Sequence, residues 1–193
     1  MSFKKIKSYA KINLALNVIG KRKKLHKIES LVAFIDLFDL ILIKEIKSDK
    51  HRISFNGKFS KNITLINTVS KLFEILEKKK LLNQKFHVKI TKNIPQKAGL
   101  GGGSMNAANI LKFLINNKFI HLSKKQISEI SSFVGSDVIL GLKSSNTILT
   151  STNKIKRFKN YKRLYTLVTK PNFGCSTKYI YSFLKKFDKA RFN

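Results

Sequence analysis

Ile94-Pro95-Gln96-Lys97-Ala98-Gly99-Leu100-Gly101-Gly102-Gly103-Ser104-Met105-Asn106 places four of the chain's 9 glycines within five positions. Glycine loses more backbone freedom on folding than any other residue, so such a cluster requires a use. Without Cβ atoms a backbone takes left-handed conformations and lies directly against a ligand. The unpaired amides that open a following helix then point at an anion. The flanks fit this use. Before the loop, Phe86, Val88 and Ile90 alternate with His87, Lys89 and Thr91, the period of a half-buried strand; after it, Ala107, Ile110, Leu111, Leu114 and Ile115 form the apolar stripe of a helix. Phosphate is the natural guest. A flexible connection is the plainer alternative, yet Gly-Gly-Gly-Ser leading into Ala107 and Ala108 favours close approach of a helix instead. No Gly-Lys-Ser/Thr closes the loop, so it is not a Walker A, and it is not the dinucleotide fingerprint that opens a parallel βαβ unit.

Upstream, the first third of the chain reads as β-structure. Lys5 to Ala10 and Leu14 to Ile19 alternate apolar and polar residues, while 31–37, 40–46 and a short piece at 53–55 are rich in β-branched and aromatic residues. From Thr68 the period changes, with Val69, Leu72, Phe73 and Leu76 marking a helix that ends near Lys80. Downstream, Ser123 and Gln126 form a capping box for a helix through Ile127, Ile130 and Phe133. Strands are expected at 147–150 and 164–169, and Ser176 caps a last helix through Phe183. Strands before helices make this an α+β chain.

Composition bounds the partners. At 193 residues with 42% apolar content, the chain has material for one substantial domain, or one domain and part of another. The longest apolar stretch, 31–43, is broken by Asp36 and Asp39 and falls short of the roughly 20 residues that span a bilayer. Lys11, Asn13 and Asn17 interrupt any leader-like segment, which reads as cytoplasmic and without a membrane partner. Cys175 is the single cysteine and the 4 histidines are scattered, so no metal site is expected from spacing. The net charge of +30 favours phosphate-bearing partners. Of the 40 basic residues only 5 are Arg, and they are spread along the chain, which argues for a solvated surface over a nucleic-acid reader.

Three stretches together resemble the GHMP small-molecule kinases. Ala10-Lys11-Ile12-Asn13-Leu14 is followed by His26 in Leu25-His26-Lys27-Ile28 and by Asp36-Leu37. The loop from Ile94 to Asn106 resembles the family's Pro-x-Gly-Ala-Gly-Leu-Gly-Gly-Gly-Ser-Ser-Asp/Asn, and Gly135-Ser136-Asp137-Val138 resembles its Gly-Ala/Ser-Asp-Val-Pro. Order and separation agree over nearly the whole chain, and the match is nearest to the branch acting on 4-diphosphocytidyl-2-C-methylerythritol in the non-mevalonate isoprenoid pathway.

That resemblance implies a fold of the ribosomal protein S5 domain 2-like type. Residues 1–160 would form the ATP-binding N-terminal domain, and 161–193 only the start of the C-terminal GHMP domain. ATP, with Mg²⁺, would lie against Pro95, Gln96, Lys97, Ala98, Gly99, Leu100, Gly101, Gly102, Gly103, Ser104 and Met105. Asp137 is implied to be the general base, taking the proton of the attacking hydroxyl. Lys11, set inside an otherwise apolar strand pattern, would stand beside it, keep the carboxylate charged and draw the hydroxyl toward transfer. Asn13 and His26 would face the substrate, His26 at the cytosine ring, with Asp137 also contacting it. Ser104 could reach Mg²⁺ or a phosphate oxygen.

Four departures qualify the resemblance. Lys97 takes a usual glycine position, Met105 replaces the second serine, Ile139 replaces proline, and Leu25 stands where an aromatic commonly precedes the histidine. Lys170-Pro171-Asn172-Phe173-Gly174-Cys175-Ser176-Thr177 resembles the first strand and helix start of the second domain, after which the chain stops. A fragment, an inactive truncated remnant, another GHMP kinase and a basic nucleic-acid-binding module are the alternatives, and a homodimer is left open.

Overall fold

A computed structural model describes residues 2–22, 25–152, 154–158, 165–171, 173–174 and 177–192. The elements run β1 (Lys4–Arg22), β2 (Leu25–Ile46), β3 (Arg52–Asn56), α1 (Thr68–Lys78), β4 (Lys85–Thr91), α2 (Gly102–Asn116), α3 (Lys124–Val134), α4 (Val138–Gly141), β5 (Thr147–Leu149), β6 (Ile155–Arg157) and α5 (Thr177–Ser182). The chain is α+β, as its pattern of strands before helices implies. Where the sequence suggests four short strands, the structure has two long ones, β1 and β2, paired with each other. Polar interruptions did not break them because their side chains are bonded. Asn13 in β1 donates through Nδ2 to Ser30 Oγ of β2 at 2.6 Å.

Two compact units interleave along the sequence. One comprises 1–10, 36–95 and 101–143; the other comprises 11–35, 96–100 and 144–193. The expected domain boundary near residue 160 lies outside the described residues.

In the first unit, β4 is the central strand, antiparallel to β2 over Leu40–Ile46 and parallel to β3. Its alternation buries Phe86, Val88 and Ile90, as the sequence pattern predicts. Val69, Leu72, Phe73 and Leu76 of α1 and Ile110, Leu111 and Leu114 of α2 join Ile41 and Ile43 in one core. Two of the helices around this core, α1 and α3, start with side-chain caps. Asn67 Oδ1 accepts from the amides of Val69 and Ser70 at 3.0 and 3.1 Å, and Ser70 Oγ accepts from the Asn67 amide at 2.9 Å. Ser123 and Gln126 form the same reciprocal pair at α3. Several lysines set their ammonium groups over aromatic rings: Lys44 and Lys89 over Phe3, and Lys7 over Phe38.

In the second unit, β5 pairs antiparallel with β2 over Ser30–Val32, and β6, not anticipated from the sequence, pairs with β5. The expected strand at 164–169 is corrected: Leu164 lies outside the described residues, and Tyr165 to Thr169 carry no regular structure. Tyr165 and Leu167 are fully or nearly fully exposed. β-propensity alone does not make a strand without a ladder partner for its amides and carbonyls. The last described residues return to the sheet. The Asp188 amide donates to the Val18 carbonyl at 2.9 Å, and the amides of Arg191 and Phe192 donate to the Glu29 carboxylate at 2.8 and 3.1 Å. Burial works against the charge on Glu29, but these two amides, Asn17 and the Arg191 guanidinium outweigh it and hold the carboxyl below its ordinary range. Ser176, the expected cap of α5, lies outside the described residues.

Candidate active site

The glycine loop has the backbone that its composition predicts. Lys97, Gly99 and Gly101 all have left-handed φ, at 52°, 72° and 69°. Glycine adopts this freely, whereas Lys97 does so at a cost of about 1–2 kcal/mol, at the position where the resemblance expects glycine. Gly102 and Gly103 are needed for a second reason, close approach. A Cβ on Gly102 would stand 3.0 Å from Ile94 Cγ2 and 3.2 Å from Lys92 Nζ; one on Gly103 would stand 3.0 Å from Thr68 Oγ1. Thr68, at the start of α1, donates its hydroxyl to the Gly103 carbonyl at 2.7 Å. The first turns of α1 and α2 therefore meet.

No side chain caps α2. Its N-cap is Gly101 in the left-handed region, so the amides of Gly102, Gly103 and Ser104 have neither an intrahelical acceptor nor a cap from that residue. This is a cradle of donors at the positive end of a 15-residue helix. Met105 departs from the expectation. Its side chain is fully buried, its amide donates to the Gly101 carbonyl at 2.9 Å, and Gly141 fits against its sulfur. The hydroxyl that serine would supply is replaced here by core packing.

Gly135-Ser136-Asp137 lies against this helix start. A Cβ on Gly135 would meet Ser104 Oγ at 3.2 Å. The Val138 amide closes a turn on the Gly135 carbonyl at 3.0 Å, and Asp137 becomes the N-cap of α4. Its carbonyl accepts from the amides of Leu140 and Gly141, but its half-buried carboxylate makes no capping bond to its own helix.

Lys11, Asn13 and His26 belong to the second unit, so the expected pairing of Lys11 with Asp137 stays a proposal. Within that unit Lys11 is buried, and its Nζ donates to Asn13 Oδ1 at 2.6 Å. Asn13 is held in turn by Ser30, whose hydroxyl donates to the Ala15 carbonyl at 2.8 Å. The Lys11 amide donates to the Leu100 carbonyl at 3.1 Å, tying β1 to the glycine loop. His26 stands 4.8 Å from the Tyr181 ring of α5, which supplies an aromatic neighbour in place of the one missing at Leu25. Sequence reading missed Tyr181, since nothing in local spacing links α5 to β2.

A buried cluster also escaped the sequence. Asp39 of β2 is fully buried, and Asn93 and Ile94 donate their amides to its Oδ1, both at 2.8 Å. Its Oδ2 accepts from Asn106 Nδ2 at 2.9 Å and from the ammonium of buried Lys92. Among the described residues no three His, Cys, Asp or Glu side chains come together as a metal site, and no helix is long and apolar enough to cross a membrane.

Comparison with known proteins agrees with this geometry. The family described as GHMP kinases N terminal domain matches residues 67–150, which contain the glycine loop and Asp137. A 4-diphosphocytidyl-2-C-methyl-D-erythritol kinase of Pelagibacter ubique (strain HTCC1062) is 60% identical over 190 residues, covering 98% of this chain and 68% of the relative. The enzyme of the same name from Clostridium botulinum (strain Loch Maree / Type A3) is 36% identical over 187 residues, 93% of this chain and 64% of the relative. A crystal structure of 4-(cytidine 5'-diphospho)-2C-methyl-D-erythritol kinase superposes with a TM-score of 0.61 at 23% identity, over 80% of this chain and 55% of that one. Mevalonate pyrophosphate decarboxylase from Streptococcus pyogenes superposes almost as well, at 0.60 with 14% identity, and attests the fold alone. The chain spans about two thirds of the length of these curated relatives and just over half of the solved structure.

Proposed function

Because the chain belongs to the 4-diphosphocytidyl-2-C-methyl-D-erythritol kinases, a branch of the GHMP kinases, we propose that it carries the nucleotide-binding part of an enzyme phosphorylating the 2-hydroxyl of 4-diphosphocytidyl-2-C-methyl-D-erythritol with ATP. The single observation that supports this most is the uncapped, glycine-built start of α2 with the Gly135–Asp137 turn packed on Ser104. It pairs anion-binding amides with a carboxylate in one unit.

Phosphoryl transfer asks a protein for positioning and charge neutralisation more than for covalent chemistry. In our reading the amides of Gly102 to Ser104 hold phosphate oxygens, and the open space at Gly99 lets the backbone lie against them. Asp137 accepts the proton of the 2-hydroxyl as its oxygen bonds to the γ-phosphorus and the bond to the bridging β,γ-oxygen breaks, releasing ADP. Lys11, its ammonium oriented by Asn13, supplies positive charge to the attacking oxygen and the transferring group. His26 and Tyr181 take the cytosine, one by hydrogen bond and one by ring contact. Mg²⁺ would arrive on the nucleotide with phosphate and water ligands, and Ser104 could reach it through its hydroxyl. We assign residues 1–160 to the nucleotide-binding domain and 161–193 to the start of the substrate domain, acting in the cytoplasm on a small-molecule partner.

The test is transfer from γ-labelled ATP to the cytidylated alcohol, run beside homoserine and mevalonate. Labelled phosphate on the cytidylated alcohol alone is the expected result. Equal labelling of mevalonate or homoserine would overturn the substrate assignment, and absence of ATP binding would overturn the kinase reading.

A further inference from the structure

The Asp39 cluster lies beneath the glycine loop and is not explained by packing. Moving a carboxylate and an ammonium out of water carries a desolvation penalty of several kcal/mol per ion, and apolar residues of similar volume often serve stability as well. Here the pair sits where four separate donors converge on one carboxylate. Two are the consecutive amides of Asn93 and Ile94, at the point where the chain leaves β4 for the loop. The third is Asn106, in the second turn of α2, and the fourth is Lys92. Asp39 thereby ties together both ends of the segment from Lys92 to Asn106.

Lys92 extends the grip to the helix start. Its Nζ would stand 3.2 Å from a Cβ on Gly102, so the ammonium rests directly under the first turn of α2, where only a bare Cα leaves room. At the same carboxylate oxygen, Asn106 donates through Nδ2, while its Oδ1 is buried with no hydrogen-bond partner among the described residues. The cluster satisfies the carboxylate fully and leaves a neighbour short, as expected of a site arranged around Asp39.

We propose that Asp39 is the positioning residue of the phosphate loop: through the amides of Asn93 and Ile94, through Asn106 and through Lys92, it fixes where the first-turn amides of α2 stand. This rests on the reading of Gly99 to Ser104 as the phosphate site. Asp39 touches no reacting atom. It sets a geometry to which donors must be held within a few tenths of an ångström for useful anion binding.

Four proteins separate this role from general stability: the parent, Asp39→Ala/Lys92→Met, Asp39→Asn/Lys92→Met, and Leu114→Ala as a core variant with the cluster intact. Asn at 39 can still accept from the two amides, and with the Asn106 amide turned over, its Nδ2 can donate to Asn106 Oδ1, so this neutral pair conserves three of the four bonds without the charges. Amide exchange at Asn93, Ile94 and Gly102 to Ser104 is read without nucleotide, and ATP affinity is read by titration well below each melting temperature. We expect Asp39→Ala/Lys92→Met to exchange at least tenfold faster at those amides and to bind ATP at least tenfold more weakly. The Asn/Met pair should return both to within about threefold of the parent, and Leu114→Ala should lower melting while leaving both unchanged. The proposal is overturned if the Ala/Met variant keeps parental exchange at those amides, or if Leu114→Ala loses as much affinity and protection. If the parent binds no ATP, the phosphate reading fails and the exchange data alone decide whether Asp39 holds the loop.

Discussion

Helices α1 and α3 begin with reciprocal side-chain caps, Asn67 with Ser70 and Ser123 with Gln126; helices α2 and α4 begin with none. The first pair follows the ordinary rule that the orphan amides of a first turn are satisfied by a side chain worth about 1 kcal/mol. The second pair forgoes that gain at the two places where the glycine loop and Asp137 meet. A helix start without a cap is a cost unless some other group takes the amides. In the function proposed above, the contrast separates elements that only build the fold from those that would also carry chemistry.

Removing the carboxylate should break the contrast most severely. Asp137→Asn conserves shape, and we expect kcat to fall about 10²–10⁴-fold with ATP affinity little altered, measured by steady-state transfer and calorimetry. Near-parental turnover would return Asp137 to the status of a plain helix start. Giving α2 a charged group at its start is the next test. Gly101→Asp puts an acid, tolerated at left-handed φ, beside the amides; ATP affinity should drop about tenfold or more by titration, less so at high salt. The reverse test takes a cap away where no ligand is expected. Ser123→Ala should lower unfolding free energy by about 1 kcal/mol in urea and leave ATP affinity unchanged.

The smallest effect concerns a carboxylate that receives amides outside any helix. Glu29 binds the amides of Arg191 and Phe192 and titrates below its ordinary range. A depressed carboxyl contributes stability that is present above its unfolded pKa and is lost as pH falls through the folded one. Glu29→Gln should therefore speed amide exchange at residues 188–192 near neutral pH and make little difference in acid, where the parent carboxyl is protonated as well.

What the sequence discloses follows the range of the interactions. Left-handed turns, capping boxes and the alternation of β4 are decided within a few residues, so the glycine loop, α1 and α3 could be read directly. Asp39 could not, because its partners Asn93, Ile94 and Asn106 lie far along the chain and two of them contribute only backbone amides, which every residue possesses. Tyr181 was hidden for a related reason: its meeting with His26 depends on where α5 returns, not on its own spacing. The packing of Met105 was not legible either, because a position that resembles a serine motif also falls on the face of α2 that packs on Gly141. The strand expected at 164–169 shows the converse, a β-favouring composition with no ladder to join.

The bond from the Lys11 amide to the Leu100 carbonyl makes one residue serve two ends of the same apparatus. Its ammonium is disposable without slackening the tether, since methionine at 11 would keep the main-chain link. Proline there would sever the link while erasing the cation too. Comparing the two exchanges would apportion the contribution of residue 11 between electrostatics and anchorage.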